Sequence, residues 1–399
     1  LQLLKIDFFS FLKGGVIMGK YFLRIFLVLC LLVLLAPTNK SFAAKKLSNI
    51  KVTMANPLFN PGLAFLWVSN FLGYYQEEGV DAEFVAAQGG AQAMGWVLAG
   101  RTHVGLPRPI PILFKAARGK KWPPVTGVYI LNRDAIYGEA VAVPPNSSIK
   151  SVCDLQGKRV GLMSARDAGQ IFIKKALETC GIPAAKQNVI FLPVGAGSKA
   201  ATAMKLGRID AWASVDVQYT LTQAAGFKLR FVPYQESWTK NLFGNVVWLN
   251  TKYLKNNRKT AVGFLKGLAK GSLFFYTNPE AALKIHWVLY PESVPKGMSR
   301  KKASEKFIKV LHARAPKLMV DDEKDKRFGA HHAGEWNEYV KFVGLDKKLS
   351  DSQVKRLWTN DLIAEVNNFD KEEVIRRAKK FDIDKELKKY RALLKKYKQ

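Results

Sequence analysis

Short apolar runs alternate with amphipathic stretches along the chain from residue 47 onward. Residues 50–54 have the length and composition of a strand, and residues 62–78 follow as an apolar-faced helix that Gly79 ends. Residues 81–87 and 103–106 predict two further strands, with a helix over 91–99 between them. This alternation is typical of an α/β domain with a largely parallel sheet.

A second cycle with the same order of elements begins near residue 158. It predicts strands over 158–163, 189–194 and 210–215 and helices over 167–179 and 199–206. At a constant offset of 107 residues, several positions of the two cycles are identical: Phe84 and Phe191, Gly90 and Gly197, Ala93 and Ala200, Gly100 and Gly207, Arg101 and Arg208. This correspondence predicts two similarly built α/β lobes.

The boundaries of the lobes follow from turn-forming composition. Val143 is followed by Pro144-Pro145-Asn146-Ser147, which predicts a crossover between lobes. The first lobe would begin with residues 44–143, the second would span 144–235, and residues 236–325 would return to the first. Residues 245–250 read as the returning strand, and residues 260–276, 279–290 and 300–313 as helices. A C-terminal helical segment, residues 326–399, would contain helices over 334–343 and 351–362.

The first 43 residues have the pattern of an export signal. Met18 precedes Lys20 and Arg24, residues 25–36 form an unbroken apolar run, and Ser41-Phe42-Ala43 supplies small residues for a signal peptidase. The run is too short to span a bilayer. We therefore expect a signal peptide over 18–43, cleavage after Ala43 and a periplasmic mature chain, with residues 1–17 arising from translated upstream sequence.

The chain carries a formal net charge of +31 over 399 residues. Such an excess favours acidic partners: an anionic solute, a membrane surface or nucleic acid. Export argues against nucleic acid. The bases are spread along the sequence, and those of residues 371–399 accompany apolar residues at helical spacing, which indicates a solvated helix face.

Several segments together resemble one protein family. Residues 148–161 (SIKSVCDLQGKRVG) resemble the segment that opens the second lobe of solute-binding proteins for nitrate, sulfonates and taurine. The Asn56-Pro57 turn, residues 74–80, residues 206–211 (LGRIDA) and the late Asn367-Asn368-Phe369-Asp370 fit the same family, which also includes binders of thiamine-pyrimidine precursors. The resemblance covers roughly residues 47–380.

The resemblance implies a fold and a set of partners. The fold is α/β, of the type II periplasmic-binding-protein kind, with two lobes joined by two crossovers and with extra C-terminal helices. The implied function is capture of a small solute and its delivery to an ABC permease and its ATPase, without a cofactor and with membrane contact only through the permease. The expected ligand is a small organic acid, with an aromatic acid or a pyrimidine precursor as alternatives.

Candidate ligand contacts follow from where such a fold binds. Ligands lie beyond the carboxyl ends of the strands, where helix N-termini favour anionic groups. Arg108 and Arg166 would clamp an acid, Ser164 would donate its hydroxyl, and Asp216 would bind an amino group or brace a loop. Phe59 would stack on a flat ligand or belong to the core. The remaining candidates are turn residues with accessible amides: Asn56, Gln88, Gly89, Gly90, Gly195 and Ser198.

Other functional classes find less support. The sequence contains no nucleophile elbow, Walker loop or dinucleotide fingerprint. Enzymes of this family that make the thiamine pyrimidine carry a cysteine-rich motif, whereas only Cys153 and Cys180 follow the expected signal. A periplasmic sensor module is the alternative of another class. We expect His331 and His332 to lie on the surface without binding metal.

Cys153 and Cys180 are also candidates for a disulfide. Cys153 lies just before a predicted strand and Cys180 ends the helix that follows it, so the two segments should be neighbours. An exported protein folds in an oxidising compartment, which favours the bond. The alternative is two apolar thiols packed under the sheet.

Overall fold

A computed structural model describes residues 46–397 apart from 120, 134–139, 166, 235–241, 296 and 320–325. In this part of the chain, ten strands form two five-stranded sheets. No helix among the described residues is long and apolar enough to cross a membrane. The predicted signal peptide and the upstream segment lie outside the described residues.

The first sheet has the order β2-β1-β3-β10-β4. Its strands are Ser48–Met54 (β1), Val80–Ala86 (β2), Val104–Gly105 (β3), Val125–Ile130 (β4) and Val246–Asn250 (β10). β1 pairs in parallel with β2 and β3, whereas β10 is antiparallel to both β3 and β4. The returning strand therefore inserts in the middle of the sheet and not at its edge.

The second sheet repeats this arrangement with the order β7-β6-β8-β5-β9. Its strands are Ala140–Val143 (β5), Arg159–Leu162 (β6), Ile190–Pro193 (β7), Ala211–Trp212 (β8) and Arg230–Pro233 (β9). β6 pairs in parallel with β7 and β8, and β5 is the antiparallel insert. The two-lobed α/β fold is confirmed, and each lobe has one internal antiparallel strand.

Helices cover the sheets. The first lobe contains Ala64–Leu72 (α1), Tyr74–Glu77 (α2), Gly90–Leu98 (α3) and Ile110–Ala117 (α4), and the second contains Gly169–Thr179 (α5), Ser198–Lys205 (α6) and Asp216–Ala224 (α7). The returning chain adds Thr251–Asn256 (α8), Arg258–Thr277 (α9), Pro279–Leu289 (α10) and Arg300–Arg314 (α11). The C-terminal segment forms Ala333–Phe342 (α12), Asp351–Lys355 (α13), Ile363–Val366 (α14), Lys371–Lys379 (α15) and Ile383–Tyr397 (α16).

Two predicted helices are shorter than their sequence pattern. The helix predicted over 62–78 breaks at Gly73, whose φ of 83° is left-handed and ends α1. The helix predicted over 351–362 ends at Lys355, because the following backbone pairs with β4. The Gly127 amide donates to the Leu357 carbonyl at 2.8 Å, and the Thr359 amide donates to the Gly127 carbonyl at 3.0 Å.

The two crossovers between the lobes run side by side. The Leu131 amide donates to the Asn245 carbonyl at 2.8 Å, and the Gly244 amide donates to the Asn132 carbonyl at 2.9 Å. A Cβ at Gly244 would overlap the Asn132 side chain, so the two segments pack closely at this point. Because Ala140–Val143 already belongs to the second sheet, that lobe begins a few residues before the predicted Val143 turn.

The prediction that His331 lies on the surface is wrong. His331 is 2 % exposed and stacks on the rings of Trp336 and Trp358, with centroids 5.7 and 5.2 Å away. Its Nδ1 accepts a hydrogen bond from the Trp336 indole at 3.1 Å, and burial lowers the pKa of the imidazole. His331 precedes α12 and is turned inward by this aromatic cluster; no group of three metal-binding side chains occurs among the described residues.

The structure joins Cys153 and Cys180 by a disulfide, with Cα atoms 5.7 Å apart. Cys153 lies in a short 3₁₀ turn before β6, and Cys180 caps the C-terminus of α5. The bond therefore ties the start of a strand to the end of the helix that returns along it, as the spacing of the two cysteines suggests.

This disulfide should stabilise the protein because it closes a loop between two cysteines that are 27 residues apart in the sequence. We expect Cys153→Ala/Cys180→Ala to lower the free energy of unfolding by about 3 kcal/mol, because the unfolded chain regains the entropy of the open loop. Urea denaturation with and without dithiothreitol measures this: the reductant should destabilise the wild type and leave the double variant unchanged. Equal stability of the wild type in both conditions would show that the bond is absent.

Candidate functional site

A cavity of about 150 Å³ lies between the two lobes. The first lobe contributes residues that follow β1, β3 and β4, the start of α3 and the end of α11, and the second contributes residues that follow β6 and β8. The lining is mostly apolar, with six polar or charged side chains among the described residues: Asn56, Arg108, Asp167, Ser214, Asn245 and Arg314. A mainly apolar pocket with a few polar groups is the usual form of a small-molecule site.

Arg108 extends from the loop after β3 toward the second lobe. Its side chain is 6 % exposed, and the guanidinium carbon lies 5.3 Å from the ring centroid of Phe172 on α5. β10 holds the loop in place, because the Pro107 carbonyl accepts hydrogen bonds from the Val246 amide at 3.1 Å and the Trp248 indole at 3.2 Å. A cation–π contact in a buried setting adds to the fixation of the guanidinium.

Arg314 is a second buried cation at the cavity. It ends α11, its side chain is 6 % exposed, and Nη1 donates to Oδ1 of Asp216 at 2.9 Å. Asp216 begins α7, so this ion pair connects the helix α11 to the second lobe. The Nε–H of Arg314 has no acceptor among the described residues. A buried N–H donor without a partner is costly, and a ligand acceptor in the cavity would remove that cost.

The second-lobe wall of the cavity is held by two internal contacts. Oδ1 of Asp167 accepts the amide of Gly169 at 2.8 Å, which fixes the start of α5. The Tyr219 hydroxyl accepts from the amide of Ser214 at 2.7 Å and lies 3.0 Å from the Trp212 carbonyl. Burial raises the pKa of Tyr219, so the hydroxyl keeps its proton and can donate to that carbonyl.

The structure places three predicted contacts, Asn56, Gly90 and Arg108, in the cavity lining. Two further predicted contacts, Gly89 and Ser164, face each other across the cleft beside this cavity. A Cβ added to Gly89 would lie 3.3 Å from the Ser164 hydroxyl oxygen. Gly89 also has a φ of 112°, a conformation that favours glycine. The glycine turn therefore lets the two lobes approach one another.

The other candidates lie away from the lining of the cavity in the described part of the chain. Phe59 belongs to the first-lobe core and stacks on Tyr290 at 4.7 Å between centroids. Gln88 is exposed, and its backbone amide donates to Oε1 of Gln92 at 2.8 Å. Gly195 lies in the turn before α6, and exposed Ser198 is the first residue of that helix. Asp216 braces Arg314. Arg166 lies outside the described residues.

Sequence reasoning missed Arg314, although one signal was available. The buried positions of α11 are Ala303, Phe307, Leu311 and Arg314, which share the apolar face of the helix. A charged residue on the buried, apolar face of a helix needs a counter-charge or a ligand, because burial of an unpaired charge is costly. Asn245 and Ser214 gave no such signal, because each follows or precedes a short strand without a distinctive neighbour.

Comparisons with known proteins agree with this architecture. The fold matches a protein of Bordetella bronchiseptica at 18 % identity and a TM-score of 0.60, covering 80 % of this chain and 96 % of that one. It matches the alkanesulfonate-binding protein SsuA of Xanthomonas axonopodis pv. citri, whose structure contains MOPS, at 15 % identity and 0.58, covering 79 % and 99 %. The nitrate-binding protein NrtA of Synechocystis PCC 6803 matches at 12 % and 0.56, covering 84 % and 99 %.

The fold is thus that of periplasmic solute-binding proteins of the nitrate and sulfonate type. Residues 60–282, more than half of the chain, match the family model described as NMT1/THI5 like. The chain belongs to the NMT1/THI5-like family. No curated protein matches its sequence.

The ion pair between Arg314 and Asp216 gives a direct test of the site's electrostatics. Arg314→Met should lower the free energy of unfolding by about 3 kcal/mol, because Asp216 keeps a poorly compensated charge. Adding Asp216→Asn should restore most of that loss, since the amide needs no counter-charge. Urea denaturation of the wild type, both single variants and the double variant gives the coupling energy; purely additive effects would contradict the pairing.

Proposed function

We propose that the protein is the periplasmic solute-binding component of an ABC importer and that its solute is a small organic anion. The observation that carries the proposal is the cavity between the two lobes, whose lining includes two buried arginines, Arg108 and Arg314. Membership of the NMT1/THI5-like family and the fold shared with nitrate- and sulfonate-binding proteins support the transport class. The mechanism requires no reaction: the solute is held and released.

The geometry supports a mechanism of closure about the paired crossovers. A ligand that touches both half-sites favours the closed arrangement by its differential affinity for that state. The permease would then receive the closed, loaded form. Rotation about two adjacent segments is a hinge motion, in which few residues absorb the change in backbone angles.

The anionic preference follows from the hydrogen-bonding capacity of the charged groups. Asp167 and Asp216 each already accept a backbone amide, from Gly169 and Val217, and Asp216 also accepts from Arg314. A guanidinium has five N–H donors, and the Nε–H of Arg314 has no acceptor among the described residues. The Nε–H of Arg314 is thus a donor that an acceptor group of the solute could satisfy, and the net charge of +31 attracts anions to the protein.

A thermal-shift screen identifies the ligand class. Aliphatic and aromatic carboxylates and sulfonates, nitrate, aminopyrimidines and cationic amines should be compared at equal concentration. A ligand at 100 times its Kd stabilises the protein by about 2.7 kcal/mol, which is easily seen as a higher Tm. Stabilisation by organic acids and not by amines is expected, and a response to aminopyrimidines alone would favour the precursor-binding alternative.

Arg108→Met provides the test on a named residue. It should weaken binding of the acid selected in the screen by about 2 kcal/mol or more, because the acid loses a buried charge-assisted contact. Isothermal titration calorimetry measures the affinity, and Arg101→Met, at an exposed turn of the same lobe, is the matched control. Arg108→Lys keeps the charge without the planar fork, so intermediate affinity is expected. Unchanged affinity in Arg108→Met would remove this residue from the site.

A further inference from the structure

Apolar and basic side chains lie on opposite faces of α16, the last helix of the described chain. Its apolar face packs on the first lobe: Tyr390 stacks on Phe71 of α1 with ring centroids 4.8 Å apart, and Leu387 contacts the same core. The opposite face carries exposed bases over about 16 Å of helix length: Lys385, Lys388, Lys389, Arg391, Lys395 and Lys396. The helix is therefore amphipathic, with a strongly basic face turned to solvent.

Acidic residues neutralise little of this basic face. α16 contains two of them, Asp384 and Glu386, and of these Asp384 is exposed. Glu386 is 5 % exposed and accepts hydrogen bonds from Arg377 of α15 and from Lys389, each at 2.7 Å. The buried carboxylate thus connects α16 to α15, and the exposed residues of α16 keep a net positive charge.

The basic face continues onto the neighbouring helix α15. A groove of about 500 Å³ lies between the two helices, with Arg376 and Lys380 on one side and Lys385 and Lys389 on the other. Three acidic residues also line it: Glu77, Glu373 and Glu386. Residues 371–396 contain eleven basic and five acidic side chains, so the pair of helices remains positive as a whole. We call the exposed bases of α16, together with Arg376, Lys379 and Lys380, the C-terminal basic surface.

The C-terminal basic surface does not overlap the solute cavity. Leu66, in the first half of α1, lines the cavity, whereas Phe71 and Leu72, at the other end of α1, line the groove between α15 and α16. Among the described residues, the cavity and this groove have no lining residue in common. An object bound to the basic surface therefore contacts the outside of the first lobe and leaves the cavity accessible.

The composition of this surface fits a lipid bilayer better than a protein partner. Protein interfaces contain a core of aromatic or other apolar side chains inside a polar rim. Among the exposed residues that the structure describes on α16, the only apolar one is Ala392. Attraction to anionic lipid headgroups needs no apolar core, and each Lys or Arg near such a membrane tightens binding about fivefold.

We propose that the C-terminal basic surface binds the anionic headgroups of a lipid bilayer. The proposal goes beyond the proposed function and takes from it only the location in the periplasm. It adds a direct lipid contact to the expected contact through the permease. The first lobe would lie against the membrane that contains the permease, which raises the local concentration of the binding protein there. The attachment is electrostatic, so it is reversible and weakens as salt screens the charges.

Vesicle flotation tests the proposal on residues 44–399, so that the apolar run of the expected signal cannot contribute. Vesicles of phosphatidylcholine are compared with vesicles of equal parts phosphatidylcholine and phosphatidylglycerol, at low and high ionic strength. We expect binding to the phosphatidylglycerol vesicles alone and its loss at high ionic strength. No binding, or equal binding to both vesicles, would overturn the proposal. Solute binding is measured without vesicles, so its failure would count against the proposed function alone.

Lys388→Gln/Arg391→Gln/Lys395→Gln removes three charges from the centre of the surface. The affinity for phosphatidylglycerol vesicles should fall on the order of a hundredfold, with an unchanged Tm because all three side chains are exposed. The matched control removes two lysines and one arginine from exposed positions of the second lobe and should bind as the wild type: Lys199→Gln/Lys205→Gln/Arg208→Gln.

Two outcomes of this comparison would contradict a specific lipid-binding surface. An equal loss in both triple variants would show that the net charge of the whole chain, and not the C-terminal basic surface, causes the binding. Tighter binding of soluble polyglutamate than of the phosphatidylglycerol vesicles would overturn the proposal in favour of an acidic protein partner. As a check on folding, the charge-conserving Lys388→Arg/Arg391→Lys/Lys395→Arg should bind the vesicles with wild-type affinity, and a loss there would also contradict the electrostatic contact.

Discussion

The two crossovers between the lobes are hydrogen-bonded to each other where they meet the first sheet. Leu131 and Asn132 bond through their backbones to Gly244 and Asn245, and the Asn132 side chain also accepts the Asn245 amide at 2.9 Å. These bonds hold the two chain segments side by side where both join the first sheet. The Asn245 side chain donates to the Leu106 carbonyl at 2.8 Å, which connects this hinge to the loop that precedes Arg108.

The cavity follows from this hinge together with the order of strands in each sheet. Because β1, β3, β6 and β8 all point their carboxyl ends at the cleft, the loops after them converge there from both sides. Indole and phenol groups hold these loops from behind: Trp248 supports the loop before Arg108, and Tyr219 supports the segment around Ser214. The backbone segments that carry the buried charges are therefore held in place within each lobe before a ligand arrives.

Much of the fold could be predicted because it is local. Short apolar runs predicted the positions of most strands. The offset of 107 residues reflects the strand order that the two sheets share. Gly100 and Gly207, which this offset aligns, both lie in left-handed turns, with φ of 70° and 63°. The antiparallel strand β5 was missed because four residues after a crossover give little pattern. The helix over 351–362 was overestimated because pairing of Leu357 with Gly127 is a long-range contact that outweighs local propensity.

The site was harder to predict than the fold. The rule that ligands lie at strand ends found Asn56, Gly90 and Arg108, yet it also selected Gly195 and Ser198, since it contains no information on which loops of two lobes face each other. Arg314 is the last residue of a helix far along the chain, and its place at the cavity depends on how α11 packs against both lobes. Whether such a residue lines the cavity depends on the packing of elements that are distant in the sequence, so residue spacing does not predict it.

We expect ligand binding to close the lobes over the cavity. Spin labels on Arg118→Cys and Lys174→Cys, at exposed positions on α4's C-terminus and on α5, report the distance across the cleft mouth. In the mature chain expected after signal cleavage, Cys153 and Cys180 are bonded to each other and do not compete for label. With the selected acid, double electron–electron resonance should give one narrow distribution at the distance of this structure, and without it a broader distribution shifted to longer distances. Identical distributions with and without a ligand whose binding calorimetry has shown would contradict ligand-driven closure of the lobes.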